Sequence, residues 1–286
     1  MDKQTFLNKL DHMRDIPTLP TVAVAVNRML QDCDTSIREL SKTVEKDQAI
    51  VSKLLRLVNS AFYGFQAKIN TISHAVTVLG FNTVRNAVVS VSIIEAFSGK
   101  DATEDFDITH FWKHSIAVAV TGRNLAEDTR LASPDEAFVA GILHDVGKLV
   151  LAQYFKDLFS QVWTSIQNNG LSFYEAEKQL LPADHAQIGG HLAKKWHLPV
   201  NLIEAVAYHH VVRKSAINLE LLMLVHVADF IVNHYKIGSH GEPDLSGIHP
   251  EAAKRMAIQL EAVSDWFPGA ANEIDAACQF FLEKTA

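Results

Sequence analysis

Seven residues after position 100 are candidate metal ligands, and they lie on five separate, largely apolar segments of the chain. They are His114, His144, Asp145, His185, His209, His210 and Asp229. The segment GILHDVGKLVL, residues 141–151, shows how strongly hydrophobic their surroundings are. An ionised carboxylate is costly to bury without a partner, so Asp145 and Asp229 each need a proton, a cation or a metal ion. Imidazole nitrogen and carboxylate oxygen together suit divalent transition metals, and the helices of a bundle can direct such ligands inward from several sides.

Each of these residues also has an ordinary structural explanation. His114 alone can be a hydrogen-bonded core or surface histidine, and Asp229 can accept a hydrogen bond from His226, three residues earlier on the same helical face. The pair at 144–145 can cap or bridge neighbouring helices, and the pair at 209–210 can complement the dipole at a helix C-terminus. Spacing alone leaves these alternatives open, whereas seven candidates on five predicted helices favour a metal site.

Composition describes a globular chain with an acidic balance. The 286 residues are 48% hydrophobic, and 26 basic against 33 acidic residues give a formal net charge of −7. This charge argues against a broad electrostatic surface for nucleic acid or anionic lipid. Cys33 and Cys278 are the only cysteines and form no CxxC motif, so the sequence predicts reduced thiols and no cysteine zinc site.

Neither the N-terminus nor the most apolar segment has the pattern of a membrane signal. The stretch MDKQTFLNKLDHMRD alternates charged and apolar residues and lacks the apolar run of a signal peptide. Leu219–Val232 is interrupted by Glu220, His226 and Asp229 and is shorter than the roughly 20 residues that span a bilayer. We therefore expect a cytoplasmic protein with no membrane segment, in which Leu219–Val232 is a buried helix.

Helical signals occur along most of the chain, and strand alternation is almost absent. Four helix starts resemble capping boxes, in which a Ser, Thr or Asp side chain and a Glu or Gln three residues later cap one another. They are Ser36 with Glu39, Ser133 with Glu136, Ser172 with Glu175, and Asp184 with Gln187. The second is the strongest, because Pro134 fits the first helical position of the helix expected to carry His144. The sequence predicts an all-α protein, a multi-helix bundle of two packed lobes.

Polar stretches suggest where the lobes divide. SGKDATEDFD, residues 98–107, separates an N-terminal helical lobe, 1–100, from a second lobe, 101–286. Residues 238–250 are predicted to form a long surface loop before the C-terminal helices. The first lobe has no catalytic constellation, and its apolar helices suggest packing and a partner surface; Asn59 is predicted to cap a helix end there through its side chain, before the turn in NSAFYG.

The second lobe resembles the HD superfamily of metal-dependent phosphohydrolases. The motif HDVGKL, with KHS upstream and HVAD downstream, matches the order His, His-Asp, Asp of the superfamily's ligands. The resemblance implies an HD-like lobe in which His114, His144, Asp145 and Asp229 are ligands. His185, His209 and His210 resemble the additional ligands of two-metal HD enzymes, which include the HD-GYP cyclic dinucleotide phosphodiesterases.

A longer resemblance, over about residues 15–215, is to the HDOD family, the HD-related output domains of bacterial signalling. It is carried by IPTLPTVAVAVNRML, IRELSKTVEKDQAIVSKLLRLVNSAFYG, INTISHAVTVLGFNTVRNAVV and HAQIGGHLAKKWHLPVNLIEAVAYHH. HDOD domains generally have lost part of the ligand set, whereas this chain keeps a residue at every ligand position. The chain reads DQAI where the family usually has DPAL, no GYP motif follows His210, and His110 occupies the place of a glutamate ligand of some HD-GYP proteins.

The resemblance implies a dinuclear site and two functions that remain open. Asp145 would bridge two divalent ions and Lys148 would contact a phosphate oxygen, so that these two would be the catalytic residues; Lys148 can equally be a solvated lysine at a helix end. Iron or manganese is favoured by the two-metal relatives, while nickel and zinc also suit the ligands. One function is a regulatory output domain that binds signalling proteins. The other is an active phosphohydrolase or phosphodiesterase acting on a phosphorylated small molecule, a nucleotide or a cyclic nucleotide.

Overall fold

The computed structural model describes residues 2–13, 16–29, 35–59, 68–98, 102–238 and 245–282. Within these ranges the long elements are all helices and no strand occurs, which confirms the predicted all-α class. In chain order the helices are α1 (Lys3–His12), α2 (Thr21–Met29), α3 (Ile37–Val44), α4 (Gln48–Val58), α5 (Ile72–Leu79), α6 (Phe81–Ser98), α7 (Ile108–Thr129), α8 (Pro134–Leu143), α9 (Val146–Tyr154), α10 (Lys156–Asn169), α11 (Phe173–Leu180), α12 (His185–Lys195), α13 (Val200–Tyr208), α14 (Leu219–His234), α15 (Pro250–Arg255), α16 (Ala257–Glu261) and α17 (Val263–Leu282). In the described chain, no helix combines the length and hydropathy needed to cross a membrane.

The chain divides into two compact units. Unit 1 comprises Met1–Pro17 and Gly99–Val263, and unit 2 comprises Thr18–Ser98 and Ser264–Ala286. The boundary between Ser98 and Gly99 lies close to the sequence-based division at residue 100. The two chain ends are assigned differently, because α1 belongs to unit 1 and most of α17 belongs to unit 2.

The centre of unit 1 is the long helix α7, which packs against α8 and α14. Helix α8 approaches it at Gly141, where a Cβ atom would lie 2.4 Å from the Ala119 Cα, so only glycine permits this main-chain contact. Leu219–Val232 falls within α14, and most of its side chains are buried, as the sequence predicted. Helix α12 packs against α9 and α13, which brings the start of α12 close to the junction between α8 and α9.

Helix α1 is attached to unit 1 by aromatic and polar contacts. The rings of Phe6 and Phe155 lie 5.0 Å apart. The Trp196 indole N–H donates a hydrogen bond to the Pro17 carbonyl (3.0 Å) immediately after α12, and His191 on α12 contacts Asp11 (2.8 Å). The beginning of the chain therefore covers the outer side of the helix that carries His185.

Unit 2 is held together mainly by apolar packing. Its fully buried side chains include Leu40, Leu54, Leu57, Ile72 and Ile93. As the sequence predicted, the Asn59 side chain closes α4: its amide donates to the Leu55 carbonyl (2.6 Å) and also bonds the main chain of Ile69.

The predicted helix caps have mixed outcomes. Full capping boxes form at Ser36 and at Ser172, and Asp184 accepts the Gln187 amide N–H at 2.8 Å. The predicted box at Ser133 is wrong, because its side chain makes no capping hydrogen bond. Helix α8 instead starts on Pro134, whose fixed φ suits the first turn, and its next two residues are acidic and favour the positive end of the helix dipole.

Several sequence predictions lie outside the described residues. They concern Cys33, the turn in NSAFYG after Asn59, the first part of the polar boundary before residue 102, and residues 239–244 of the predicted loop before the C-terminal helices.

Candidate metal centre

The seven predicted ligands lie together inside unit 1, in two groups. The first group is His114, His144 and Asp229; the second group is Asp145, His185, His209 and His210. Within each group, one possible ligand atom per residue lies within 4.8 Å of the others. His210 is half-buried and the other six side chains are buried. The cluster is assembled from α7, the α8–α9 junction, the start of α12, the end of α13 and α14.

Asp145 connects the two groups through its two carboxylate oxygens. Oδ2 lies 3.4 Å from His144 Nε2 and 3.7 Å from His114 Nε2. Oδ1 lies 3.0 Å from His185 Nε2 and 3.8 Å from His209 Nε2. Each oxygen therefore faces a different group, which is the arrangement that a bridging carboxylate needs.

A short interruption between α8 and α9 gives Asp145 this position. The sequence predicted His144 inside a helix, but α8 ends at Leu143 and α9 starts at Val146, so His144 and Asp145 occupy the junction. Gly147 then allows a close main-chain approach, because a Cβ there would lie 2.0 Å from the His185 carbonyl oxygen. The glycine of HDVGKL thus brings the first turn of α9 against the first residue of α12, beside Asp145.

The histidine rings are oriented by hydrogen bonds on the side away from the cluster. Because a main-chain carbonyl only accepts, each Nδ1 that faces one carries the proton and leaves Nε2 as the ligand atom. These bonds join Nδ1 of His144 to the Gly141 carbonyl (2.7 Å), Nδ1 of His209 to the Val206 carbonyl (2.8 Å) and Nδ1 of His114 to the Ile237 carbonyl (3.3 Å). The fold itself therefore aims three Nε2 atoms into the cluster.

Glu177 on α11 supports the fourth ring and was not identified from the sequence. Its side chain is fully buried, Oε2 lies 2.5 Å from His185 Nδ1, and Oε1 accepts the main-chain N–H of the same residue at 3.0 Å. The local signal is weak: Glu177 lies one turn after Phe173 and one turn before Leu180 in an amphipathic helix, but Leu180 is 44% exposed. The spacing therefore indicates neither the burial of Glu177 nor His185 as its partner.

Two atoms of the cluster lack the hydrogen bonds that buried polar atoms usually make. Among the described residues, His144 Nε2 and Asp145 Oδ1 are buried and have no hydrogen-bond partner. In the first group, Asp229 Oδ1 is 3.1 Å from His114 Nε2 and accepts from the Asn233 amide at 2.8 Å. Unsatisfied buried acceptors are costly, and a cation satisfies an imidazole nitrogen and a carboxylate oxygen together. The residues present therefore fit a divalent metal ion.

The pKa shifts of the cluster favour an ionised Asp145 and differ in direction among the histidines. Burial opposes the charged form of His144, but the carboxylates of Asp145 and Asp229 outweigh it and raise that pKa. Burial by itself raises the pKa of Asp145, but the positive charges of His144 and Lys148 outweigh it and hold that pKa well below its usual range. Burial, followed by repulsion from neighbouring histidines, lowers the pKa values of His209 and His210 well below theirs, so both rings keep a free lone pair.

His185 has the opposite shift. Burial opposes its charged form, yet the nearby carboxylates, Glu177 foremost, raise its pKa to about 9. A cation that binds at His185 Nε2 must therefore displace a proton.

Lys148 lies beside the cluster and forms an ion pair with Asp145. Its ammonium group contacts Asp145 Oδ2 at 2.6 Å and lies 5.3 Å from the centre of the Phe173 ring. About one fifth of its side chain is exposed. It is therefore neither a fully solvated lysine nor remote from the candidate bridging carboxylate, and its contact with a phosphate oxygen stays a prediction.

His110 and His226 lie outside the two groups of candidate ligands. More than half of the His110 side chain is exposed, and its Nδ1 lies 3.7 Å from Asp107, outside both groups. His226 does not pair with Asp229: its Nδ1 donates to the His209 carbonyl (2.7 Å) and its Nε2 accepts the main-chain N–H of His249 (3.0 Å).

Comparison with known proteins places this fold among bacterial relatives. An HDOD domain protein with unknown function from Geobacter sulfurreducens has a similar crystal structure, with a TM-score of 0.83 and 25% sequence identity over 98% of this chain and 99% of that one. A candidate phosphohydrolase from Shewanella amazonensis SB2B gives a TM-score of 0.76 at 23% identity, covering 96% and 97% of the two chains. A candidate signal-transduction protein from Marinobacter aquaeolei VT8 gives 0.74 at 20% identity, covering 99% of this chain and 62% of the other. The last two show a shared fold.

Sequence comparison gives one curated relative and a family. An uncharacterized protein of Treponema pallidum (strain Nichols) is 25% identical over 201 residues, which are 70% of this chain and 38% of that protein. This chain thus spans well under half the length of its curated relative. The model of the HDOD domain matches residues 16–212, more than two thirds of the sequence. The chain therefore belongs to the HDOD family.

Proposed function

We propose that the chain is a regulatory output domain of bacterial signal transduction that retains a dinuclear HD-type metal site. His114, His144 and Asp229 would hold one divalent ion, His185, His209 and His210 the other, and Asp145 would bridge them. The favoured metals are iron and manganese, with nickel and zinc as alternatives. The proposed partners are signalling proteins, in keeping with family membership.

Burial of six of the seven candidate ligands is the observation that carries this proposal. His144, His185 and His209 have no exposed surface, and Asp145 is 2% exposed. Metal sites enclosed by protein ligands are typical of structural roles, whereas catalytic sites keep an open position for water or substrate. A closed centre suits a domain whose metal ions stabilise the helical surface that a partner contacts.

The alternative is an active metal-dependent phosphohydrolase or phosphodiesterase, and one side of the cluster favours it. His210 is half-buried, and its ring stacks on Tyr174 with centroids 4.3 Å apart. Lys148 is also partly exposed. When bound, two metal ions supply Lewis-acid charge and activate a water molecule toward a phosphoryl group. On this side the Lys148 ammonium would bind a phosphate oxygen of a nucleotide or another phosphorylated small molecule.

One pair of measurements separates the two functions. The metal content of the protein, purified without a histidine tag or chelator, is expected to be near two equivalents. Hydrolysis of bis(p-nitrophenyl) phosphate in manganese buffer is then compared with the matched variant Asp145→Asn, which keeps the side-chain shape and removes the charge. The regulatory proposal predicts equal background rates, and metal-dependent hydrolysis lost only in the variant would establish the alternative. A metal-free protein that remains folded would contradict the metal site itself.

A further inference from the structure

We propose that Glu177 is a positioning residue that holds the second metal ion in place through His185. The inference rests on the proposed dinuclear site. It adds a residue outside the seven ligands and assigns it a different effect on each ion.

His185 differs from three other histidines of the cluster in the group that orients its ring. His114, His144 and His209 each face a neutral main-chain carbonyl through Nδ1, whereas His185 Nδ1 faces the Glu177 carboxylate at 2.5 Å. The carboxylate is fixed in turn, because its other oxygen accepts the main-chain N–H of His185 at 3.0 Å. A carboxylate partner fixes the ring orientation and makes the opposite nitrogen a stronger ligand.

Charge explains why the second group needs this partner. The first group contains its own carboxylate, Asp229, and shares Asp145. The second group has three imidazoles and only the shared Asp145. Glu177 is 0% exposed, so it places a second negative charge beside this group without being a ligand. Opposite charge in a buried setting stabilises a bound cation more strongly than it does at the surface.

The variant Glu177→Gln tests the orientation because it moves the proton of the neutral His185 ring from Nδ1 to Nε2. A glutamine side chain has one acceptor oxygen and one donor NH₂ group. The main-chain N–H of His185 always donates, so it takes the oxygen, and the NH₂ group then faces Nδ1. Nδ1 must accept, which puts the ring proton on Nε2, the atom directed at His209 Nε2 (3.3 Å) and Asp145 Oδ1 (3.0 Å). A protonated Nε2 cannot bind a metal ion.

The experiment is a titration of the metal-free full chain with Zn²⁺, which is diamagnetic, followed by elemental analysis and ¹⁵N NMR of the imidazole nitrogens. The wild type is expected to bind two equivalents, with His185 protonated at Nδ1 and zinc-bound at Nε2. Glu177→Gln is expected to keep one equivalent at unchanged affinity and to bind the other at least 10-fold more weakly. Glu175→Gln is the matched control on the same helix, because glutamine also serves in a capping box, and it should retain both.

The outcomes separate this inference from the proposed site. A wild type that binds no zinc would contradict the dinuclear site, on which the inference depends. A wild type that binds two ions while Glu177→Gln also binds both with unchanged affinity would overturn the role of Glu177 alone. If the variant does not fold, the wild-type spectrum decides: a zinc-bound Nδ1 at His185 overturns the inference, and a protonated Nδ1 supports it.

Discussion

The two units bury different kinds of side chain. Among the described residues, the buried histidines and carboxylates all belong to unit 1, whereas the one buried ionisable group of unit 2 is Arg85. Those of unit 1 are His114, His144, Asp145, Glu177, Asp184, His185, His209, His226 and Asp229. Unit 2 buries mainly aliphatic residues, with a few serine, threonine and asparagine side chains. The stability of unit 1 must therefore depend on charge matching in addition to apolar packing, whereas that of unit 2 depends mainly on packing.

The largest expected effect is in unit 1, for Asp145→Ala. The substitution removes the carboxylate between the two groups and leaves Lys148 and His185 without their shared anion. Breaking a buried charged pair typically costs about 3 to 5 kcal/mol. We expect both metal ions to be lost and unfolding to occur at lower denaturant concentration, as measured by elemental analysis and urea titration. Unchanged metal content in this variant would contradict the bridging role.

Leu54→Ala is the counterpart in unit 2. Leu54 is fully buried, and truncating a buried leucine to alanine costs about 3 kcal/mol, for the lost transfer energy and the cavity. We expect Leu54→Ala to unfold at lower denaturant concentration but to bind the same number of metal ions when it is measured folded, at 10 °C. If Leu54→Ala lost as much metal as Asp145→Ala, metal binding would depend on the packing of unit 2, and the contrast between the two units would be wrong.

Gly147→Ala in unit 1 and Gly269→Ala in unit 2 make the same substitution at a crowded and at an open helical position. At Gly147 a Cβ would lie 2.0 Å from the His185 carbonyl oxygen, so the α9–α12 contact must open, at about 2 to 3 kcal/mol. At Gly269, in α17, nothing lies within 4 Å of the added atom, and alanine favours a helix over glycine. We expect weaker metal binding and a lower melting temperature for the first variant only. Equal melting temperatures would be evidence against the close contact.

The smallest expected effect is at a helix cap of unit 2. Ser36→Ala removes the side chain that accepts the Glu39 N–H and closes the capping box of α3, at about 1 kcal/mol. Ser133→Ala in unit 1 is its control, since Ser133 makes no capping hydrogen bond. The control should melt within experimental error of the wild type, and a larger loss for Ser133→Ala than for Ser36→Ala would refute this assignment of the caps.

Sequence patterns predict the helices well, and they select side chains that the structure brings together, because both depend on local signals. Apolar spacing predicts the helix that contains Leu219–Val232. The apolar neighbours of Asp145 and Asp229 in the sequence indicate that these carboxylates are buried. The order of motifs then groups all seven candidates, and they do meet in one cluster.

Two of the features that the sequence does not predict depend on contacts between different helices. Glu177 gains its role from His185, eight residues away and on another helix. His110 and His114 share one face of α7, yet only His114 reaches Asp229 on α14, at 3.1 Å, whereas more than half of the His110 side chain is exposed. Ser133 has the residues of a capping box, yet proline already satisfies the start of its helix. In the first two cases tertiary packing selects among options that are locally equivalent.

The carbonyl and carboxylate partners of the Nδ1 atoms have a consequence for ion choice. Because folding already fixes these rings, the conformational entropy of ordering them is lost on folding and not when an ion binds. A ligand set that cannot rearrange freely discriminates by ionic radius and coordination geometry more than by intrinsic affinity. The main-chain positions of Gly141, Val206 and Ile237, which never touch the ion, would then select the metal.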